Sequence, residues 1–138
     1  MIENDIWLLL LKKAKKAAAF GEIPVAAAIV WNNKLISCCF NKKEKKKDIT
    51  AHAEVLAIKK AARKLKRWNL GDCRLYVSLK PCGMCQEIIK QSRIEKVIYL
   101  LEKPDFKRDF SRTVFTISDS KTIGSYQQLL SDFFQNKR

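Results

Sequence analysis

CRLYVSLKPCGMCQEIIKQSRIEKVIYLL, residues 73–101, changes its period twice. CRLYVSL (73–79) and KVIYLL (96–101) are short apolar runs with β-branched and aromatic residues, the pattern of strands. Between them, Pro81 opens a helix that the sequence carries to about Arg93, because proline suits a first turn. A strand, a helix and a strand within thirty residues define an α/β layered domain.

The flanking segments extend the layers. Upstream, NLGD (69–72) reads as a turn, and before it a helical period starts at Ala51. Val55, Ile58, Ala62 and Leu65 fall at spacings of 3, 4 and 3 on one face, with Lys59, Lys60, Arg63, Lys64, Lys66 and Arg67 on the other side. NKKEKKKDIT (41–50) lacks apolar periodicity and reads as a polar loop. IPVAAAIVW (23–31) and KLISCCF (34–40) form a hairpin about Asn32-Asn33, with Pro24 near a strand start where its missing N–H is tolerated. Cys38 and Cys39 are neighbours on a strand and point to opposite faces. A first helix runs from Asn4 or Asp5 to Phe20, stopped by Gly21. Downstream, RTVFTIS (112–118) reads as an edge strand and SYQQLLSDFFQNKR (125–138) as a closing helix.

At 138 residues and 16.0 kDa the chain suits a single domain over 1–138, and 47% hydrophobic with 30% charged residues is a globular balance. No apolar run approaches the roughly 20 residues of a membrane span. Glu3 and Asp5 precede the apolar patch near the start, unlike the positive start of a secretory signal, so a cytoplasmic protein is expected. Five cysteines, an odd number, argue against a disulfide framework. A net charge of +14 points to a polyanionic partner, nucleic acid first and anionic membrane second. Against this, 21 of the 28 basic residues are lysine, which AT-rich coding alone can produce.

TAHAE (50–54) holds the single histidine, and PCGMC (81–85) the closest useful cysteine pair. Cys82 and Cys85, three apart at a helix start, turn their sulfurs to one face and can chelate one ion. With His52 they make three protein ligands, the pattern of a catalytic zinc whose fourth position is left for water. A structural zinc closed by Cys73 is the alternative, but structural sites usually draw on two close cysteine pairs. Glu54, two residues from His52 on a helix, is poorly placed as a further ligand and well placed to move protons beside a zinc-activated water. Both stretches lie at helix N-termini, where the partial positive charge favours thiolate.

These two motifs match the H-x-E…P-C-x-x-C signature of the zinc nucleobase deaminases. GEIPVAAAIV, FN leading through a loop into DITAHAEVLAI, LYVSLKPCGMC, SRI and LLSDFF resemble, in order, the bacterial tRNA-specific adenosine deaminases. The resemblance covers about residues 1–100 and the last helix. It implies a cytidine-deaminase-like three-layer domain with a mixed five-stranded sheet between helices. It implies one Zn2+ per subunit on His52, Cys82 and Cys85, with Glu54 as the proton shuttle. Asn41 matches the asparagine that hydrogen-bonds the flipped nucleotide, and Phe134, Lys137 and Arg138 fall where the last helix meets the tRNA anticodon stem-loop. The implied reaction is hydrolytic deamination of adenosine to inosine at wobble position 34, by a homodimer with no membrane association.

Three departures stand out: Lys80 in place of a usual glutamate, Ala26 in place of a usual glycine, and a Leu101–Thr122 segment without the glycine-rich stretch. A small-molecule deaminase acting on guanine or cytosine would carry the same zinc motif. A zinc-holding RNA-binding module would not need Glu54, and a thiol redox protein would not need His52.

Overall fold

The structure, a computed structural model, describes residues 3–102, 113–118 and 121–136. Its elements are α1 (Glu3–Ala19), β1 (Ala26–Trp31), β2 (Lys34–Phe40), α2 (Lys43–Lys46), α3 (Ala53–Leu65), β3 (Cys73–Leu79), α4 (Gly83–Gln91), β4 (Lys96–Leu101), β5 (Val114–Ile117) and α5 (Ile123–Asn136). The strands form one sheet in the order β2-β1-β3-β4-β5. β1 is antiparallel to β2 and β3, while β4 runs parallel to both β3 and β5, so the sheet is mixed as expected.

Sequence chemistry explains the joints. Gly21 takes φ 78° just beyond α1, in the left-handed region a helix C-terminus favours. Asn32 and Asn33 both adopt positive φ, 52° and 61°, the conformation a tight two-residue hairpin needs and asparagine tolerates. Alternation along β1 then feeds two cores. Ala27 and Ile29 pack with Leu75, Val77 and Val97 under α3 and α4, against Ala53, Ala57 and Ile89. Ala26, Ala28 and Val30 pack on the other face against Ile6, Trp7 and Leu10 of α1 and Tyr126 of α5. Cys38 joins this second core and Cys39 the first, confirming that they face opposite ways.

Three details differ from the sequence expectation. The helix after Pro81 begins at Gly83, with Cys82 as its extended N-cap (φ −69°, ψ 172°), so Pro81 precedes the helix rather than opening it. The stretch 41–50 is not all loop: α2 forms within it, and the Glu22 carboxylate accepts hydrogen bonds from the Glu44 and Lys45 amides, both at 2.8 Å. Of the expected α3 face, Val55 and Ile58 are buried, but Ala62 and Leu65 are only partly covered, and Ala53, Glu54, Ala57 and Ala61 complete the buried set. Small residues there let the helix sit close on the sheet.

Candidate active site

Helix α3 starts where Asp48 turns the chain. Asp48 Oδ1 accepts hydrogen bonds from the Thr50 amide (2.8 Å) and hydroxyl (2.7 Å), which hold its carboxyl below the usual range. The Lys42 amide donates to the Ala51 carbonyl at 2.9 Å, tying the end of β2 to the head of the helix. This places His52 as the N-cap of α3, as Cys82 caps α4.

The two caps meet. His52 Nδ1 lies 3.4 Å from Cys85 Sγ and 3.7 Å from Cys82 Sγ. With Zn–S near 2.3 Å and Zn–N near 2.0 Å, two tetrahedral ligands sit about 3.6 Å apart, so the spacing fits one zinc ion. Two sulfurs and an imidazole are also the donor chemistry zinc selects. Among the described residues, this trio is the group of His, Cys, Asp and Glu donors placed to hold a metal, and Glu54 is outside it. Cys73 lies at the far end of β3 with its thiol 3.7 Å from Asp72, so the trio has no fourth cysteine.

The sulfurs are not equivalent. Hydrogen bonds from the Cys85 thiol and from the Cys85 and Met84 amides, helped by His52, lower the Cys82 thiol to about 5. Cys85 is raised, first as the donor in that bond and then by burial. Glu54 is buried at 4% exposure, and desolvation raises its carboxyl above the ordinary range.

His52, Glu54 and Cys82 line a cavity of about 140 Å3 together with Asn41, Lys43, Lys80 and the apolar Ile23, Val25 and Leu79. Asn41 follows β2, and its amide N–H donates to the Val25 carbonyl at 3.0 Å. Its side-chain Oδ1 is buried with no hydrogen-bond partner among the described residues, the state of a group that waits for a ligand. A neighbouring cavity shares Ile23, Asn41 and Lys43 and continues to Phe133 and Phe134 of α5. Phe134 is 53% exposed and packs edge-on against Phe133. Lys137 and Arg138 lie outside the described residues.

Sequence reasoning missed Glu22 and Tyr126 here. Tyr126 is fully buried and its hydroxyl donates to the Pro24 carbonyl at 2.8 Å, fixing the backbone beside Val25. Lys80 Nζ pairs with Glu102 Oε1 at 2.9 Å and lies over the Tyr99 ring, so its positive charge is answered at the cavity wall.

A two-sulfur, one-imidazole trio with a buried carboxylate alongside, held at two helix heads of a three-layer α/β domain, defines a zinc-dependent hydrolytic deaminase. The chain belongs to the cytidine and deoxycytidylate deaminase zinc-binding family, whose match spans residues 3–101. It is 42% identical to a tRNA-specific adenosine deaminase of Aquifex aeolicus, over 93% of this chain and 91% of that protein. It is 33% identical to a tRNA-specific adenosine deaminase of Buchnera aphidicola subsp. Schizaphis graminum, over 98% of this chain and 96% of that one. A structure from work on A-to-I editing by tRNA:A34 deaminases at the wobble position superposes with a TM-score of 0.80. It shares 26% identity, covering 89% of this chain and 96% of that one.

Proposed function

We propose that this protein converts adenosine to inosine at the wobble position of tRNA, adding water and releasing ammonia. The metal trio, with its His52 and Cys82 in one cavity beside buried Glu54 and Asn41, supports the chemistry. The observation that carries the substrate is the 42% identity, over 93% of the chain, to a tRNA-specific adenosine deaminase. RNA binding, a homodimer and a cytoplasmic setting complete the reading.

In this reading His52, Cys82 and Cys85 would hold the ion, which would supply a water activated at neutral pH. Glu54 takes the attacking water's two protons in turn, passing the first to the ring nitrogen and the second, from the hydroxyl added to the ring, to the departing amine. Its raised pKa suits a group that must both take and release a proton. Asn41 uses its unpaired Oδ1 to hold the base, while Ile23, Val25 and Leu79 wall it and exclude bulk water. The base must leave its stack to arrive there.

The test incubates zinc-loaded protein separately with a tRNA transcript bearing adenosine at position 34, adenosine, guanine and cytosine. Nucleosides are scored by chromatography and mass. Inosine in the tRNA alone is expected, and Glu54→Ala should lower the rate by about 10²–10⁴-fold or more while zinc stays bound. Turnover of a free base with untouched tRNA would move the protein to nucleobase salvage.

A further inference from the structure

A second concavity, of about 250 Å3, runs beside the edge strand β2, and the reaction does not use it. Three separate parts of the chain bring cations to it: Lys13 from α1, Lys42 and Lys46 from the stretch around α2, and Lys60 and Arg63 from α3. No acidic side chain lines it among the described residues. Elsewhere this protein pairs cations, as in Arg67 with Asp72 and Lys80 with Glu102. Five converging cations repel one another unless an anion joins them. Their field reaches the strand, where Lys13 and Lys60 act on the thiols of both Cys38 and Cys39.

The groove and the candidate active site draw alternate residues from one segment. Phe40 and Lys42 line the groove, while Asn41 and Lys43 line the cavity that holds Glu54. At this junction Phe20, 62% exposed, stacks on Phe40 with the rings 7° from parallel and 6.3 Å between centroids. Lys42 Nζ lies over Phe40 at 5.1 Å and Lys45 Nζ over Phe20 at 5.9 Å. An exposed ring backed by a half-buried one, with two ammonium groups over the pair, is the kind of surface on which single-stranded nucleic acid stacks.

We infer that the β2-edge groove binds the phosphodiester backbone of the RNA strand leading away from the pocket, with the Phe20–Phe40 shelf at its entrance. The inference rests on the proposed tRNA substrate. A second copy of this chain would bring another strongly positive surface against the groove, and a membrane would not explain why the groove is built on the same segment, residues 40–43, as a base-sized cavity.

The test measures binding of a full-length wobble-adenosine tRNA transcript, and inosine formation, across a range of salt concentrations. The groove variant is Lys46→Gln/Lys60→Gln/Arg63→Gln. The charge-matched control, Lys34→Gln/Arg74→Gln/Lys96→Gln, sits at the opposite end of the sheet, where these residues are exposed. Thermal melts and zinc content verify that both variants are folded. The groove variant should bind roughly tenfold or more weakly, with a slope of log Kd against log salt shallower by about 2, as three lost single-strand phosphate contacts predict. The control should lose much less. Equal losses in both variants, or none in the groove variant, would overturn the inference. Vesicles containing anionic lipid form a further arm: groove-dependent binding to them, without groove-dependent RNA binding, would also overturn it. If wild-type protein binds tRNA through the groove yet makes no inosine, the groove stands and the proposed reaction fails. If inosine forms and the two variants bind alike, the reaction stands and the groove fails.

Discussion

Asn41 separates function from stability at the level of one side chain. Its buried Oδ1 has no partner among the described residues, so removing it discards no hydrogen bond there and relieves a desolvation cost of about 1–3 kcal/mol. Asn41→Ala should therefore melt no lower than wild type while losing tenfold or more in kcat/KM on tRNA; a matching fall in melting temperature would make Asn41 a packing residue. The cysteines divide as sharply. Cys82 is held at about 5, whereas burial pushes Cys38 and Cys73 up to about 11. Thiolate is fully formed above the pKa and is lost as pH falls through it. In zinc-stripped protein at pH 7, iodoacetamide should modify Cys82 first, slowing only near pH 5, while Cys38 and Cys73 become reactive as pH climbs towards 11. Site-resolved mass spectrometry reads the order, and uniform labelling at pH 7 would contradict it.

At the scale of elements, α2 depends on a residue twenty positions before it. Glu22 is buried at 1% exposure and accepts two amide hydrogen bonds at the head of that short helix. Hydrogen bonds to a charged group contribute about 1.5–3 kcal/mol each. Glu22→Ala should cost about 2 kcal/mol or more and speed hydrogen exchange at the Glu44 and Lys45 amides, with Lys43 displaced from the pocket wall. Unchanged exchange there would show α2 holding itself. This dependence also explains what the sequence could and could not reveal. Strands 34–40, 73–79 and 96–101 match their apolar runs end to end, because alternation and composition are local signals. The grouping of His52, Cys82 and Cys85 was legible because metal chemistry restricts residue type and spacing. A four-residue helix has no period to detect, and its stabilising carboxylate is distant in sequence. The true start of α4 was hidden because Cys82, not Pro81, is the cap, a choice made by backbone geometry around the sulfur. The shift of the α3 face towards alanines was hidden too, since small residues carry little weight in an apolar count.

The whole molecule is two cores on one sheet, and the cores are not interchangeable. Leu10 is fully buried between α1 and the sheet, on the face away from the cavity. Leu10→Ala should destabilise the fold by about 2–5 kcal/mol in denaturant titrations yet leave kcat/KM nearly intact at low temperature. A large kinetic loss in fully folded protein would mean that the far core shapes the pocket.

The metal trio, lastly, is a clasp. Its donors come from the heads of two helices thirty residues apart in sequence, and an ion gripped by both favours the arrangement that brings them together. Binding only to the folded chain adds about 1.4 kcal/mol of stability for each tenfold rise in free ion above the dissociation constant. In metal buffers the melting temperature should climb steadily with free zinc and drop on chelation. Heat resistance in this protein is thus a reading of zinc supply as much as a property of its core.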